Sequence, residues 1–480
     1  MRLTGKKVLV LGLGESGLAM ARWSAWCGAQ VTVADTREHP DRLPQLRERI
    51  PDARFISGAF DALDLNGIDV IAVSPGLRPD VELKAVLAWS AEKGVPVWSE
   101  IELFAQALKG LEASRGYKPA VIAVTGTNGK TTTTSLTGHM CRTAGKTVRL
   151  AGNISPAALD VLLEVIEKEE LPEVWVLELS SFQLFTTESL EPDAATVLNV
   201  TQDHLDWHGG MQAYADAKAK VFGARTVRVL NREDAWVMAM QSQGDAVVTF
   251  GTDSTTAEGH FGLHEANGME WLSVGTGAGI RDLMPANALR IQGRHNASNA
   301  LAALALCRAI GLPFEPLLQS LRDYQGEPHR VELIATVKGV QYIDDSKGTN
   351  VGATLAAVQG LGKGASGRKN IILIAGGLGK GQDFSPLCGA VAANVRAVLL
   401  IGKDAGIIHD ALKVTGVQQI YCDSLEQAVD RGAALAGESD IVLLSPACAS
   451  MDMFRSYAHR SQVFVAEVQK IAEKVGEVQI

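Results

Sequence analysis

The feature that most constrains this 480-residue chain is a glycine-rich turn set between a strand pattern and a helix pattern. The apolar run 120–124 predicts a buried strand, and Leu136, Met140 and Cys141 show helical spacing after the turn. Residues 125–132 between them read TGTNGKTT. The backbone N–H groups of such a turn, together with the positive end of the following helix, bind phosphate groups. The segment therefore predicts a nucleotide-binding α/β domain.

Two residues of this turn carry specific chemistry. Lys130 offers a positive charge to the β- and γ-phosphates of a nucleotide, and the Thr131 hydroxyl can bind Mg²⁺. The general phosphate-loop pattern has a glycine five residues before Gly129, whereas this chain has Val124 there. The turn is therefore a shortened variant of the pattern, and a purely structural turn is the alternative.

The composition is that of an ordinary soluble globular protein, with 46% hydrophobic and 21% charged residues. The formal net charge of −9 argues against a nucleic-acid-binding surface. Six cysteines without a Cys-x-x-Cys pair favour a reducing, cytoplasmic setting. The basic N-terminus leaves a signal peptide as an alternative, although glycines interrupt the short apolar run that follows. No apolar stretch reaches the roughly 18 residues of a membrane span.

The length and the alternation of strand and helix patterns predict three α/β domains, at residues 1–112, 113–326 and 327–480. The first is expected to be Rossmann-like with a parallel sheet, the second to be a phosphate-loop ATPase-type α/β domain, and the third to be a Rossmann-like α/β domain. A polar stretch at 110–119 predicts the first linker, and the glycine-rich residues 244–290 predict an antiparallel flap. The predicted strands are 7–11, 31–34 and 70–73, then 120–124, 174–177 and 196–200, and then 340–343, 371–375, 397–401 and 441–444.

The first strand is followed by the dinucleotide-type pattern Gly12-x-Gly14-x-x-Gly17, and Asp35 ends the next strand pattern. Read alone, this pattern indicates an NAD-dependent enzyme. However, the glycines require only a diphosphate close to the backbone, and an acidic residue at 35 suggests only a ribose hydroxyl. A nucleoside diphosphate of another kind fits equally well, and purely structural glycines are a further alternative.

Polar residues follow the strands of the second domain. Glu178 comes directly after the strand at 174–177, where a carboxylate can hold the Mg²⁺ that bridges nucleotide phosphates. His204 follows another strand, but a lone histidine is usually structural. Lys218 lies in a helical pattern, and a surface lysine is the simplest interpretation.

Asn296 and Asn299 open an apolar helix pattern and stand one turn apart. Two amide side chains on one helix face can reach an adenine edge with a donor and an acceptor together. Helix capping accounts for one of these asparagines but not for both.

Together these residues make essentially the whole chain resemble the Mur ligase family, the ATP-dependent amide-forming enzymes of peptidoglycan precursor synthesis. The phosphate-loop motif is shared with folylpolyglutamate synthetases and identifies only the superfamily. Members that add L-alanine or a diamino acid typically carry histidine in the stretch where this chain has Lys347, and the Asn-Pro-Arg motif of the diamino-acid enzymes does not occur in this sequence. Motifs similar to those of the D-glutamate-adding members are GxGxxG at 12–17, SPG at 74–76, ELSSFQ at 178–183, DSKGTN at 345–350 and SPACAS at 445–450.

The resemblance implies a binding site for each of three substrates. For ATP it implies Gly126, Thr127, Asn128, Gly129, Lys130, Thr131, Thr132, Thr133, Asn296, Asn299, Arg330 and Asp345. For the UDP-sugar it implies Gly14, Glu15, Ser16, Asp35, Thr36, Arg37, Gly76, Asn153 and Ser181. For D-glutamate it implies Lys347, Thr349, Lys380, Ser450 and Tyr457, the last standing where the family often has phenylalanine.

The resemblance also implies two Mg²⁺ ions. Thr131 and Glu178 would hold the first, and His204 the second, bridged by a carbamylated Lys218. This reverses the interpretations of His204 and Lys218 made from the residues alone. Carbamylation would give Lys218 an anionic oxygen, which is the kind of ligand that Mg²⁺ prefers. Lys130, His204, Lys218 and Arg330 are the residues implied in catalysis.

The implied activity is the ATP-dependent addition of D-glutamate to UDP-N-acetylmuramoyl-L-alanine through an acyl phosphate, with release of ADP and phosphate. The expected partners are these small molecules alone, with no nucleic acid and no membrane span, and the expected form is a cytoplasmic monomer. A folylpolyglutamate synthetase or another Mur ligase is the alternative enzyme. An NAD-binding oxidoreductase or sensor is the alternative of a different class.

Overall fold

The computed structural model describes residues 3–291, 293–362 and 368–475. The chain forms two compact units. The first comprises the chain up to Val200, His204–Ala286 and Asn299–Arg322, and the second comprises Thr201–Asp203, Asn287–Ser298 and the chain from Asp323 onward. The N-terminal and central sheets lie in the first unit, and the C-terminal sheet lies in the second.

The N-terminal domain alternates short strands with helices. Its elements are β1 Lys7–Leu11, α1 Glu15–Trp26, β2 Gln30–Asp35, α2 Leu43–Arg49, β3 Arg54–Ser57, a 3₁₀ turn Phe60–Ala62, β4 Val70–Val73, α3 Lys84–Lys93, β5 Val97–Trp98 and α4 Glu100–Arg115. The strands form a parallel sheet in the order β3-β2-β1-β4-β5. The succession of strands reverses at β1 and β4, and sheets of this kind bind ligands in the crevice at that point.

Helix α4 occupies much of the stretch whose polar composition predicted a linker. It continues to Arg115, and Gly116 caps it with φ 67°. The predicted linker at 110–119 is therefore wrong up to Arg115. Leu103, Phe104 and Leu111 are buried in the core, and burial of this apolar face outweighs the polar residues on the rest of the helix.

The central region is built on a long mixed sheet. Its elements are β6 Ala120–Thr125, α5 Lys130–Thr143, β7 Val148–Gly152, α6 Ala158–Glu167, β8 Val174–Glu178, α7 Ser181–Phe185, β9 Ala194–Val197, α8 Leu205–His208, α9 Met211–Ala219, β10 Val227–Asn231, α10 Ala235–Met238, β11 Val247–Phe250, β12 Phe261–Ala266, β13 Met269–Gly275, β14 Ile280–Pro285, a 3₁₀ turn Ala286–Ala288, α11 Arg294–Ala309 and α12 Phe314–Asp323. The strand order is β14-β13-β12-β11-β10-β9-β6-β8-β7. The antiparallel flap is confirmed for β12, β13 and β14, whereas β11 pairs in parallel with β10.

Strand β6 lies between β8 and β9, and all three run parallel. Residues 121–125 are buried, as expected for a parallel strand that is covered on both faces. Helix α5 begins at Lys130, so the predicted strand, turn and helix are confirmed. The turn lies at the carboxyl edge of the sheet, where β8 also ends at Glu178.

The C-terminal domain is a second parallel α/β layer with one antiparallel edge strand. Its elements are β15 Glu332–Val337, β16 Val340–Asp344, α13 Val351–Leu361, β17 Ile371–Gly376, α14 Leu387–Asn394, β18 Val395–Ile401, α15 Ala405–Leu412, a 3₁₀ turn Lys413–Thr415, β19 Gln418–Tyr421, α16 Leu425–Leu435, β20 Ile441–Leu444 and α17 Tyr457–Val475. The order is β15-β16-β20-β17-β18-β19, in which β15 is antiparallel to β16.

These three sheets confirm the predicted fold class of three α/β domains. The boundaries at 112/113 and 326/327 stay a prediction. Across the described ranges, no helix combines the length and the apolarity that crossing a bilayer requires.

Candidate active site

A cleft of about 350 Å³ opens at the carboxyl ends of β1 and β4, and its volume is in the range of small-molecule sites. The residues that line this cleft include Phe60, Ser74 and Leu77. No motif had indicated Phe60 or Leu77 as site residues. The predicted UDP-sugar residues that line it are Gly14, Glu15, Ser16, Asp35, Thr36, Arg37 and Gly76.

The glycine turn between β1 and α1 has no room for side chains at its closest point. A Cβ atom on Gly17 would lie 1.9 Å from the carbonyl oxygen of Gly12. Gly12 adopts φ 84°, a left-handed conformation that favours glycine. The Ser74 hydroxyl donates to the same Gly12 carbonyl at 2.9 Å. The shape of this turn therefore requires Gly12 and Gly17, whatever ligand it binds.

Asp35 is buried at the end of β2 and organises the cleft wall. Its Oδ2 accepts from the Leu13 amide at 2.6 Å, and both carboxylate oxygens accept from the Arg37 guanidinium at 2.8 Å. Burial alone would raise the pKa of Asp35, but the hydrogen bonds from Arg37 and Leu13 outweigh it and lower the pKa to about 2. Asp35 is therefore ionised at neutral pH and fixes Arg37 at the cleft.

Asn153 and Ser181 do not line this cleft, although the resemblance had grouped them with it. Asn153 lies after β7, and its Nδ2 donates to Glu178 Oε1 at 2.7 Å. Ser155, two residues further along, donates a short hydrogen bond to Glu15 of the cleft. The 153–155 loop therefore contacts both the cleft and the carboxylate that ends β8.

The phosphate loop is held by Asn199, which follows β9. The side-chain Oδ1 of Asn199 accepts from the backbone N–H of Asn128 at 2.8 Å, and the backbone carbonyl of Asn199 accepts from the backbone N–H of Thr127 at 2.9 Å. Lys130 Nζ donates to the carbonyl oxygens of Gly126 and Thr127, both at 2.8 Å. Thr131, Thr132 and Thr133 are buried at the start of α5.

Lys218 is 1% exposed, so its interpretation as a surface lysine is wrong. Its Nζ donates to the Gly126 carbonyl oxygen at 2.9 Å and lies 4.5 Å from the centre of the Tyr214 ring. The Tyr214 hydroxyl in turn contacts the Thr127 hydroxyl at 3.2 Å. The fold thus brings Lys130 and Lys218 to one carbonyl oxygen of the phosphate loop.

Glu178 fits the role of a metal ligand. It is 2% exposed, its Oε1 accepts from Asn153, and its Oε2 has no hydrogen-bond partner among the described residues. A buried carboxylate oxygen left in this state is costly unless a cation or a donor satisfies it. Its position at the carboxyl edge beside the phosphate loop suits Mg²⁺, which prefers oxygen ligands.

His204 lies at the start of α8 with φ 53°, and its ring packs edge-on against Phe182 with centroids 4.7 Å apart. His208, one turn later, contacts the Ser181 hydroxyl through Nε2 at 2.9 Å and stacks on Phe182. Burial, together with the charge of Lys218, lowers the pKa of His208 to about 4. His208 is therefore neutral at pH 7 and supports Ser181 and Phe182.

The two asparagines of α11 are both buried. Asn299 lies against the phosphate loop, since a Cβ on Gly129 would come within 2.5 Å of its Oδ1. The backbone N–H of Asn296 donates to the Gly293 carbonyl at 3.0 Å in the first turn of the helix. Gly129 itself adopts φ 83°, so this glycine is required both by its conformation and by the close approach of Asn299.

In the C-terminal domain, Asp345 follows β16 and is buried. Its Oδ2 accepts from the Ser445 hydroxyl at 2.6 Å. Burial raises the pKa of Asp345 to about 7, although the Ser445 hydrogen bond and the charge of Arg330 act in the opposite direction. The two predicted ATP-binding residues of this domain, Arg330 and Asp345, thus interact with each other.

The predicted D-glutamate residues fall into two adjoining groups of loops in this domain. Lys347 Nζ lies 5.4 Å from the centre of the Tyr457 ring, and the Thr349 amide donates to the Lys347 carbonyl at 2.9 Å. Lys380 is exposed and Ser450 is buried. Their loops are joined by an isolated bridge between Leu378 and Ala449.

Arg460, which no motif had indicated, connects these loops through hydrogen bonds from its side chain. The side chain is fully buried in the first turn of α17. Its guanidinium donates to the Ser346 carbonyl at 2.7 Å, to the Ser346 hydroxyl at 3.0 Å and to the Cys448 carbonyl at 3.1 Å. Burial lowers the pKa of Arg460 to about 10, which still leaves it charged at neutral pH.

Models of known protein families match three successive parts of the chain. They are the Mur ligase MurD-like N-terminal domain at residues 6–99, the Mur ligase middle domain at 124–307 and the Mur ligase glutamate ligase domain at 329–448. The chain is also 56% identical over 493 residues to a UDP-N-acetylmuramoylalanine–D-glutamate ligase of Ralstonia nicotianae, and the alignment covers 98% of each chain. The chain belongs to the Mur ligase family. It is accordingly an ATP-dependent ligase that forms amide bonds.

Solved structures of other Mur ligases share its fold. MurC from Thermotoga maritima superposes with a TM-score of 0.59 at 22% identity, covering 97% of this chain and 99% of its own. MurF from Acinetobacter baumannii superposes with a TM-score of 0.61 at 17% identity, covering 98% of this chain and 91% of its own. At these identities the likeness concerns the fold alone.

In this Mur ligase, the residues that the motifs missed support the predicted ones. Asn199 and Tyr214 hold the phosphate loop, His208 holds Ser181, and Arg460 holds Ser346. Asn199 follows β9 at the loop's edge of the sheet, but the strand predicted at 196–200 included it, so the sequence offered no signal for this contact. The other three contact their partners only through the tertiary fold.

Proposed function

We propose that the chain joins D-glutamate to UDP-N-acetylmuramoyl-L-alanine, with ATP as the energy source. The observation that carries this assignment is the 56% identity, over nearly the whole of both chains, to a relative named for that reaction. The substrate's L-alanyl carboxylate would attack the γ-phosphate of ATP to give an acyl phosphate and ADP. The D-glutamate amine would then attack that carbonyl and release phosphate.

Attack of a carboxylate on a phosphate brings two anions together, so positive charge must surround the reacting atoms. Lys130 in the phosphate loop and Arg330 in the C-terminal domain are the residues that we assign to this role. Bound Mg²⁺ would neutralise charge on the phosphate oxygens. Thr131 and Glu178 would hold one ion, and the unpartnered Glu178 Oε2 supports that placement.

A second ion held by His204 and a carbamylated Lys218 is part of the proposal. Support comes from the neighbourhood of Lys218, where its Nζ and that of Lys130 donate to the same Gly126 oxygen at 2.9 and 2.8 Å. Two ammonium groups this close to each other are unfavourable in a buried site. Carbamylation would replace one cation with an anionic oxygen ligand and remove that repulsion.

The amino-acid substrate carries two carboxylates, and lysines are suitable partners for them. We assign Lys347 and Lys380 to these carboxylates, with Thr349, Ser450 and Tyr457 completing the D-glutamate site. The close approach of Lys347 to Tyr457, and of the Lys380 loop to the Ser450 loop, supports this grouping.

The UDP portion of the substrate is assigned to the N-terminal cleft. Arg37, fixed by Asp35, supplies a positive charge there, and the turn before α1 supplies backbone N–H groups for the diphosphate. Asn153 and Ser181 are assigned to the muramoyl part, since they lie outside the cleft beside Glu178 and His208. We further propose that the enzyme acts as a cytoplasmic monomer.

The assignment is tested by phosphate release from purified protein given ATP, Mg²⁺ and UDP-N-acetylmuramoyl-L-alanine. Adding D-glutamate should start turnover, whereas L-glutamate should not. A binding test with NADH, monitored by its fluorescence, addresses the oxidoreductase alternative. Equal rates with both isomers, or no rate with either, would refute the proposal.

A further inference from the structure

The predicted phosphate-contacting Arg330 lies in a turn with an unusual backbone. His329 and Val331, on either side of it, adopt φ 65° and φ 48°. Left-handed conformations are uncommon outside glycine and especially so for a β-branched residue such as valine. A turn of this kind persists only where the surrounding structure holds it, and such turns are concentrated at functional sites.

Two consecutive carboxylates hold this turn from either side. Asp344, the fully buried last residue of β16, accepts from His329 Nδ1 at 2.9 Å through Oδ2. Asp345 accepts a hydrogen bond from the backbone N–H of Val331. The residue before Arg330 and the residue after it are thus each fixed by a buried acid.

Ser461 in α17 completes the support. Its hydroxyl lies 2.6 Å from Asp344 Oδ2 and 2.7 Å from His329 Nδ1. The other oxygen of Asp344, Oδ1, accepts from the Ser346 amide at 2.9 Å. Both oxygens of Asp344 are therefore used as acceptors.

The same turn is connected to the predicted D-glutamate site. The Lys347 amide donates to the His329 carbonyl oxygen at 3.2 Å. The backbone of His329 therefore links the segment that presents Arg330 with the segment that presents Lys347. A shift of His329 would displace both.

A metal site is the other interpretation of this cluster, because ligand atoms of His329, Glu332 and Asp344 lie within 4.8 Å of one another. These atoms already have partners. His329 Nδ1 and Asp344 Oδ2 bond to each other, and Glu332 Oε2 accepts from the His329 amide at 2.8 Å. The contacts therefore describe a hydrogen-bond network around a turn.

We propose that Asp344 and Ser461 are positioning residues of the ligase, which hold the turn 329–331 so that Arg330 and Lys347 keep their reactive placement. This inference rests on the proposed function, because that function gives Arg330 and Lys347 their roles. Neither Asp344 nor Ser461 belongs to the residues predicted to touch a substrate.

The test compares Asp344→Asn and Ser461→Ala with Asp440→Asn as a matched control. Asp440 is also a fully buried carboxylate of this domain, but it lies before β20, at the opposite ends of the parallel strands, and pairs with Arg368 and Arg396. Asn at 344 has the same shape as Asp but turns one acceptor into a donor, so the hydrogen bonds to Ser346, His329 and Ser461 can be kept together only if His329 and Ser461 exchange their donor and acceptor roles.

We expect Asp344→Asn to lower kcat about 10- to 100-fold, the range that small displacements of reacting groups cause. Ser461→Ala should have a smaller effect in the same direction. The KM for D-glutamate should rise, and the KM for the UDP-sugar should stay within about twofold, because its cleft is in another domain. Hydrogen exchange, followed by mass spectrometry without substrates, should quicken at the Val331 and Lys347 amides in both variants. Asp440→Asn should leave kcat and these amides unchanged at temperatures where it is folded.

If wild-type enzyme turns over D-glutamate but Asp344→Asn matches Asp440→Asn in kcat, KM and exchange, the positioning role is refuted and the proposed function stands. If wild-type enzyme does not turn over D-glutamate, both are refuted. Zn²⁺ or Mg²⁺ alone protecting the Val331 and Lys347 amides of the wild type would favour a metal site and also count against the inference.

Discussion

Glu178 shows how a single side-chain oxygen without a hydrogen-bond partner can indicate a metal site. Its Oε1 is occupied by Asn153 Nδ2, while Oε2 is buried and has no hydrogen-bond partner in the described part of the chain. Replacing Glu178 by glutamine, which has an NH₂ group in place of one carboxylate oxygen, would keep the shape of the side chain and remove its charge. The consequences for metal binding and for folding can therefore be separated.

For Glu178→Gln we expect turnover to fall about 100-fold or more, because the lost charge weakens Mg²⁺ binding at the phosphates. The fold should be retained, since a buried unpaired charge is removed. The measurements are Mg²⁺ titrations of the rate and thermal melting with and without Mg²⁺-ATP. Glu164→Gln, which alters an exposed carboxylate of the same domain, serves as the control. An unchanged Mg²⁺ dependence in Glu178→Gln would contradict the assignment.

Glu100 predicts a pH dependence of stability. It is fully buried, one oxygen accepts from the Leu159 amide at 2.9 Å, and the other has no partner in the described chain. Burial, with a smaller contribution from the charge of Asp160, raises the pKa of Glu100 from 4.5 to about 7 against the opposing effect of the Leu159 hydrogen bond. The folded state therefore favours the protonated acid, so this group's contribution to stability is full below pH 4.5 and decreases as the pH rises to 7.

The variant Glu100→Gln stays neutral at every pH, so it should not show this decrease. Between pH 5 and pH 8 the wild type should lose up to about 3 kcal/mol of stability that the variant keeps. Denaturation midpoints at both pH values, measured for both proteins, give the comparison. Parallel pH profiles for the two proteins would show that Glu100 is not responsible.

At the scale of elements, the approach of α1 to β1 depends on Gly17. A Cβ at Gly17 would lie 1.9 Å from the Gly12 carbonyl oxygen, whereas nothing lies within 4 Å of a Cβ at Gly14. Both glycines belong to the same motif, so a sequence pattern treats them alike. The structure separates a glycine needed for packing from one that lines the cleft.

Gly17→Ala should therefore lower stability by about 1–3 kcal/mol, because α1 must move away from the strand end. Gly14→Ala should change stability by less than about 0.5 kcal/mol, since its extended backbone accepts alanine. Both should weaken UDP binding, because Gly14 lines the cleft and α1 borders it. Thermal melting and calorimetric titration with UDP measure the two effects. Equal loss of stability in both variants would contradict this distinction.

Elements were predictable where local patterns decide burial. Strand β6, the following turn and α5 were read correctly, because a continuous apolar run and a glycine turn leave few alternatives. The end of helix α4 was predicted as a linker, because its polar residues resemble one unless the buried face is known. Support residues were not predictable, since they lie far along the chain from their partners: Asn199 by 71 residues from Asn128, Tyr214 by 87 from Thr127 and Arg460 by 114 from Ser346.

Over the whole molecule, the motifs and the family resemblance predicted the site residues, but they did not predict the charge state and burial of some of them. Lys218 is the clearest case, because helical lysines are usually exposed and only the fold places this one beside Gly126. Recognition of the sugar nucleotide, the phosphates and the amino acid is assigned to three different sheets. Each assignment can then be tested with one fragment of the substrates.

UDP alone should slow hydrogen exchange in the N-terminal domain around residues 12–16 and 35–37, which line the cleft. The C-terminal segments 329–331 and 345–350 should exchange at their unliganded rates. Exchange with mass spectrometry, at a UDP concentration that saturates binding, gives the result. Strong protection confined to the C-terminal segments would place the uridine site elsewhere.

Helix α4 also restricts how this chain can change in length. In this helix Glu100 accepts a hydrogen bond from the Leu159 backbone amide, and Glu102 accepts from the backbone amides of Glu188 and Ser189. Phe104 packs against Trp175. One inserted residue in a helix rotates everything beyond it by about 100° and advances it by about 1.5 Å. An insertion between Glu100 and Phe104 would therefore break at least one of these contacts, whereas a coil would absorb it. Relatives that differ in length are expected to do so on either side of α4, in loops, and the junction between the first two domains should be constant in length.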